Sequence, residues 1–525
     1  MVRAIFRLFR RVVGWGLLVL IVVFFGYLAV RFLEDEPVTY ADDRDHFKYG
    51  STGGDRLAGI PTGIWQILPT LCAKYLPGEG WQSLGFIYEP GKEFPIGTSV
   101  RRSFGFDRVF LNCAACHSGT YRETPDGERT IVLGMPANNL DLAAFRNFLG
   151  QCTVDEAFNS LRILAELERA GVDHDWIDRA ALGTVGIPLM RFGLLLARHR
   201  FRFLDRQPEA GPGRFDTFNP AKVLMNWPLE KLPEREWIGL NDFPSLWIQG
   251  QREDRGMQLH WDGNNDSVDE RNRSAAFGSG GLPVVIDRDS LARTAAWLRN
   301  DAVNVPPPYP FPIDGELAAK GKPLYARYCA DCHGVDGRNF EGKYVGKVEP
   351  IDRVRTDPCR LDNYTRLLAV NQNLLYSGFP EERFRRFRKT NGYANMPLDG
   401  IWLRGPYLHN GSVPSLRDLL EPSENRPKVF YRGNDVFDQK RVGFVSDVAE
   451  QNGRTFFRFE TQCIDDPERG VFCDYEKNPE NRYPDNQCVV SKWAGNSNRG
   501  HEGRRYGTHL AAADKDAIVE YLKTF

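Results

Sequence analysis

Two segments of this chain repeat one arrangement of three side chains: NCAACHSGT at residues 112–120 and YCADCHGVDG at residues 328–337. Each sets two cysteines three positions apart, with a histidine directly after the second. Thiols at that spacing at the start of a helix fall on one side, where they can add to the two vinyl groups of a haem. The histidine then stands beneath the iron. From the Cys and His frequencies the pattern is expected by chance on the order of 10⁻³ times, yet it occurs twice. The reading is two covalently bound haem c groups, one on Cys113, Cys116 and His117, the other on Cys329, Cys332 and His333. Two other chemistries use such cysteines: the four thiols together would make a zinc site, and either pair alone a redox dithiol. A zinc site leaves both histidines idle, and a dithiol gives no reason for a histidine after the second cysteine.

The amino terminus limits where this chemistry takes place. Arg3, Arg7, Arg10 and Arg11 precede Val12 to Val30, a run without a charge, which as a helix is about 28 Å long, close to the hydrocarbon thickness of a bilayer. Arginines before the run and EDE after it leave the tail in the cytoplasm and send the rest across. No A-x-A cleavage site follows, so an uncleaved anchor is expected. The protein is then a single-pass protein of the bacterial inner membrane with its soluble domains in the periplasm, where covalent haem attachment occurs. The mean hydropathy of −0.43 and the lack of a second long apolar run agree with one anchor and a soluble body.

At 525 residues the chain exceeds the roughly 250–300 residues at which a single core stops growing. Its 68 basic and 69 acidic side chains nearly cancel and give no electrostatic footprint for nucleic acid. Six further cysteines, Cys72, Cys152, Cys359, Cys463, Cys473 and Cys488, allow up to three disulfides in an oxidising compartment, and spacing alone selects no pairing.

Between the haem motifs lies DAVNVPPPYPFPIDG, with five prolines in seven residues, a composition that favours extended polyproline geometry over helix or central strand. The expected division is a cytoplasmic tail (1–11), an anchor (12–31), a first c-type haem domain (32–300), a Pro-rich linker (301–315) and a second c-type haem domain (316–525). ELAAKGKPLYARYCADCHG reads as a short helix delivering the second motif. In the tail, Leu510, Ala513, Ala517, Tyr521 and Phe525 recur at helical spacing, and Thr153 to about Gly171 also reads as helical. The expected fold class is mainly α: two cytochrome c-like haem domains after an N-terminal transmembrane helix.

Several longer phrases resemble a known family. QLHWDGNNDSVDERN (258–272) and PYLHNGSVPSLRDLL (406–420) are similar to the W-D-G-R…L-E-E-Q and P-Y-F-H-D-G-S-V segments of bacterial di-haem cytochrome c peroxidases. LNCAACHSGT, MPLDGIWLRGPYLHNGSVPSL and NSNRGHEGRRYGT more closely resemble the branch containing rubber oxygenase, and the resemblance runs from about residue 46 to the end. It implies that Trp261 relays electrons between the haems. It also puts Arg271 where the peroxidases carry a glutamine, and the glycine-rich 278–281 near their acid-base glutamate, so their peroxide-cleaving carboxylate has no evident counterpart. Ser423 falls at the peroxidases' Met or Tyr ligand position, and the rubber-oxygenase-like branch implies His501 as sixth ligand of the second iron, with His409 and Met396 as rivals. For the first iron the nearest sixth-ligand candidate is Met135, eighteen residues beyond His117. If Met135 ligates, the site is closed; if it only packs, the iron keeps an open position. His46, His174, His199, His260 and His509 read as surface or capping residues.

Two functions follow. One is a redox enzyme with peroxidase- or oxygenase-like chemistry at the first haem, supported by electron transfer from the second. The other is a non-catalytic cytochrome relaying electrons between membrane and periplasmic partners. Either way the expected partner is an electron-donor or acceptor protein in periplasm or membrane.

Overall fold

The computed structural model describes residues 2–474, 477 and 487–525, with side chains from residue 10 onward. Helix α1 (Val2–Leu33) carries the apolar run, and its side chains from Val12 to Leu33 lie almost wholly exposed. It is long and apolar enough to cross a membrane, as fits a signal anchor or a membrane span.

Beyond α1 the chain enters a four-stranded antiparallel sheet made of β1 (Asp35–Pro37), β2 (Ile60–Pro61), β3 (Thr98–Ser103) and β4 (Phe106–Leu111), in the order β1-β3-β4-β2. Asp35 pairs with Ser103, Thr98 with Leu111 and Ile60 with Val109. One sheet therefore ties the exit of α1 to β4, which runs straight into the first haem motif on α2 (Cys113–Cys116). A hairpin of β5 (Ser118–Tyr121) and β6 (Thr130–Leu133) follows. The fold is mixed, 42% helical and 12% strand, which corrects the mainly α expectation: helix dominates, but the first haem motif is delivered by a sheet. Its strands span only two to six residues, too short for alternation to register against the background.

Two helix expectations are also corrected. The run expected from Thr153 to Gly171 is two helices, α3 (Leu142–Val154) and α4 (Ser160–Arg169). Asp155 turns back to accept from the Ala157 amide at 2.8 Å, and Asn159 caps α4 by accepting from Arg162 at 3.0 Å. Short polar side chains that bond nearby amides compete with helix continuation. A second apolar helix, α5 (Trp176–Arg206), passes the same length and hydropathy test as α1. Arg179, Arg191, Arg198 and Arg200 interrupt it in sequence, which hid it as a continuous run.

Further along lie α6 (Val268–Gly278), α7 (Gly315–Tyr328), α8 (Ala330–His333) and the closing α9 (Ala512–Leu522). Helices α7 and α9 cross closely at Gly321, where a Cβ would stand 1.9 Å from the Ala517 carbonyl oxygen; any larger residue would push them apart. Tyr325 of α7 packs edge-on against Phe525 at 4.9 Å. The buried face of α9 is Ala517, Ile518, Val519 and Leu522, whereas Ala513, expected on the apolar stripe, is exposed.

One apolar core, built on Trp65 and Trp81 stacked at 4.3 Å, lies beside α3. A second draws Met135 and Trp247 from one side of the Pro-rich segment and Tyr325, Trp402, Phe437 and Ile518 from the other. The segment itself is packed, not a free tether: Phe311 stacks on Phe437 at 5.5 Å, and the Pro307 carbonyl accepts from the Trp402 indole at 3.3 Å. The two haem regions share a core across it. Three disulfides, Cys72–Cys152, Cys359–Cys488 and Cys463–Cys473, account for the six remaining cysteines. The four left free are the four of the haem motifs.

Candidate haem sites

The first motif is held rigidly before any cofactor is considered. Asn112 caps α2 by accepting from the Ala114 amide at 2.9 Å while its own amide group donates to the carbonyls of Lys48 and Gly50. Gly97, at φ +90°, brings the β3 entry so close to α2 that a Cβ would meet the Ala115 Cα at 2.2 Å. Burial pushes the Cys113 thiol up to about 11 and Cys116 up to about 12, as an apolar slot for a flat ring requires. At the second motif, burial pushes Cys329 up to about 12. Among the described residues no group of three or more Cys, His, Asp or Glu side chains is placed to hold a metal ion.

Both motif histidines are oriented the same way. His117 Nδ1 lies 2.9 Å from the Pro244 carbonyl oxygen, and His333 Nδ1 lies 2.7 Å from that of Met396. A carbonyl accepts only from a protonated nitrogen, so Nδ1 donates and Nε2 keeps its lone pair for iron. Burial lowers the pKa of both rings, to about 4 at His117, which keeps them neutral and able to ligate. Met396, a rival ligand in sequence, contributes its carbonyl to this orientation.

Opposite His333 stands His501, with ring centroids 6.0 Å apart. Metal–imidazole bonds of about 2 Å on each side place two facing rings roughly this far apart, so the pair fits one iron between them. Burial brings the His501 pKa down to about 3. The loop that presents it is clamped: the buried Arg426 donates to the carbonyls of Asn498, Gly500 and His501, and the His501 amide donates to Val354 at 2.7 Å. His409 does not face His333; it stacks on Tyr393 at 4.0 Å, and its backbone carbonyl accepts from the Asp242 amide.

Trp261 connects the two sites. Its indole donates to the Asp242 carbonyl at 2.7 Å, two residues before the Pro244 that orients His117. Its own carbonyl accepts from Ala394 at 2.8 Å, two residues before the Met396 that orients His333. A route of two short backbone stretches and four hydrogen bonds thus joins the two motif histidines through one tryptophan.

The surroundings of His117 differ from those of His333. His117, Cys113 and Cys116 open on a cavity of about 1540 Å³, larger than the roughly 300–1,000 Å³ of ordinary ligand sites. Phe243, Leu298, and Arg271 and Phe277 of α6 help line it. Met135 is not among its lining residues: it is wholly buried in the second core, against Gly119 and the Trp247 cluster. His260, expected as a surface or capping residue, lines this cavity instead. Its Nδ1 accepts from Arg360 at 3.0 Å, and Arg360, wholly buried, also bridges Asp262 at 3.0 Å. Sequence reasoning missed Arg360 and Arg426, since an arginine destined for burial reads like any surface arginine.

Comparison with known proteins finds one family model and two relatives. Residues 392–431, which hold Met396 and His409, match a family model described as RoxA-like, cytochrome c-like. The chain therefore contains a cytochrome c-like domain of RoxA-like type, which implies covalently bound haem c. Two proteins of Sinorhizobium fredii are similar to it. Uncharacterized protein y4iM is 30% identical over 46% of this chain and 57% of its own length, and uncharacterized protein y4iJ is 25% identical over 79% and 76%. The match therefore spans little more than half of y4iM.

Proposed function

We propose that this chain is a membrane-anchored periplasmic di-haem cytochrome in which the His117 haem carries oxygenase- or peroxidase-like chemistry and the His333 haem exchanges electrons with it through Trp261. The observation that carries this reading is the contrast between the two histidines. His333 faces a second imidazole at 6.0 Å between ring centroids, whereas His117 opens on a large cavity whose other imidazole, His260, is tied to Arg360, and Met135 is turned into the core.

Haem c at His117 supplies an iron able to take up dioxygen or peroxide and to pass single electrons. The protein's own residues set the conditions around it. Pro244 fixes the His117 tautomer, and Phe243, Leu298 and Phe277 give the cavity apolar walls. Arg271, held near 10 by burial, remains cationic and brings a hydrogen-bond donor to the same space. Glu270, the carboxylate beside it, is buried and committed to the Arg385 and Arg386 amides at 2.9 and 3.0 Å. So held, Glu270 is not free to deliver a proton to a departing oxygen, which favours oxygenase-like over peroxidase-like chemistry. On the other side, His333 and His501 would together hold the iron of a haem bound there, which would then supply electron transfer alone.

The test is to reduce the purified full chain anaerobically and add dioxygen or peroxide in separate experiments. Rapid reoxidation with dioxygen, and slow turnover of peroxide with a cytochrome donor, is the expected pattern. Inertness to both would leave the electron-relay function.

A further inference from the structure

Helix α5 presents to solvent an apolar stripe that no element among the described residues covers. Val185, Leu189, Phe192 and Leu196 recur at helical spacing, with Leu189 and Phe192 at 64% and 65% exposure. The opposite face is anchored: Leu182 and Ile187 are buried in the first core, and Met190 and Leu194 pack against it. At the far end Phe203 and Leu204 are buried in a cluster of their own. A helix fixed to the body along one face and at its end has no free length to cross a bilayer. One apolar face over an otherwise anchored helix is the geometry of an interfacial element.

What covers the stripe is indicated by α1. Its last turn lies against the start of α5, where Arg31 bridges Asp175 at 2.8 Å and Asp178 at 2.7 Å. Phe32, the next residue, packs on Phe106 at 6.2 Å and lines the same cavity wall as Val185 and Leu189. Strand β1 then locks the exit of α1 into the sheet. The end of the anchor and the stripe are thus parts of one continuous surface. His199 and Arg202 are exposed at the carboxyl end of α5, placed to meet lipid phosphates from an interfacial position.

We propose that the exposed stripe of α5 lies in the periplasmic interface of the bilayer that α1 crosses, seating the body on the membrane so that the cavity mouth at Phe32, Leu57, Val185 and Leu189 opens at the lipid surface. This rests on reading α1 as a membrane anchor. It adds a second, non-spanning membrane contact and fixes which face of the body meets lipid.

The experiment uses the haem-loaded full chain in nanodiscs of phosphatidylethanolamine and phosphatidylglycerol that include a diazirine-bearing phospholipid, with cross-linked peptides located by mass spectrometry. Lipid adducts are expected within residues 185–199 as well as within α1. In Leu189→Glu/Phe192→Glu/Leu196→Glu the adducts in 185–199 should fall at least about tenfold, while those in α1 persist. Phe192→Ser, one mild change at an exposed position, gives the same readout with a smaller fall should the triple variant lose its haem absorbance. Adducts confined to α1 overturn the proposal and leave the anchor standing. Absence of adducts from α1 as well removes the anchor reading and the proposal with it. Two chains per nanodisc with 185–199 free of lipid would assign the stripe to a second copy and overturn the proposal equally.

Discussion

The rings of His333 and His501 face each other at 6.0 Å between centroids although 168 residues separate them in the chain. His333 is delivered by α8, and His501 comes from a loop clamped by Arg426. In His501→Ala the second iron should become accessible to external ligands, so that the reduced protein binds carbon monoxide at both irons instead of one. Added imidazole should restore the parent spectrum. A variant that stays low-spin without imidazole would assign the ligand elsewhere.

Arg426 acts on this site only through the loop. Replacing it in Arg426→Leu leaves several buried carbonyls without their donor and should lower stability by on the order of 3 kcal/mol. The informative readout is spectroscopic: a high-spin fraction appears at the second iron and disappears with imidazole. A purely structural role would lower the unfolding midpoint and leave the spectrum unchanged.

Trp261→Phe removes the indole N–H that reaches Asp242 while keeping an aromatic ring. Electron equilibration between the irons, followed by flash photolysis of the carbon monoxide adduct, should slow roughly tenfold, equivalent to about 1.4 kcal/mol on the barrier. Haem content and the static spectrum should be those of the parent. An unchanged rate would remove Trp261 from the route.

Asp357 is buried and accepts from the amides of Cys359 at 2.9 Å and Ser497 at 3.1 Å, yet burial pushes its carboxyl up to about 6. The folded state therefore holds a proton that the unfolded chain, titrating near 3.8, has released. Between those values folding is linked to proton uptake, and the stability Asp357 contributes falls as pH rises from about 4 to about 6, by at most about 3 kcal/mol. The urea stability of Asp357→Asn relative to the parent should rise across that window and level off above it. A flat difference would place the Asp357 carboxyl at its ordinary value.

Cys113, Cys116, His117, Cys329, Cys332 and His333 stand out in the sequence because covalent haem attachment needs a fixed local pattern, and these six side chains carry it. His501 and Trp261 are singled out only by resemblance, since nothing local marks a lone histidine or tryptophan as facing a distant site. Met135 read as a ligand candidate from its place eighteen residues beyond His117, but spacing does not say which way a side chain points, and the fold turns it into the core. The prolines at 306–312 correctly excluded helix, while Tyr309 and Phe311 among them supply the packing that makes the segment part of a shared core. Helix α5 escaped notice because its arginines break the apolar run in sequence.

The central claim is that one iron is closed by two histidines and the other is open on its cavity side. Low-temperature EPR of the oxidised full chain measures this most directly. The predicted spectrum contains one low-spin centre and one high-spin centre in equal amounts per chain, the high-spin signal responding to added imidazole. Two low-spin centres in the resting protein, neither changed by imidazole, would contradict it.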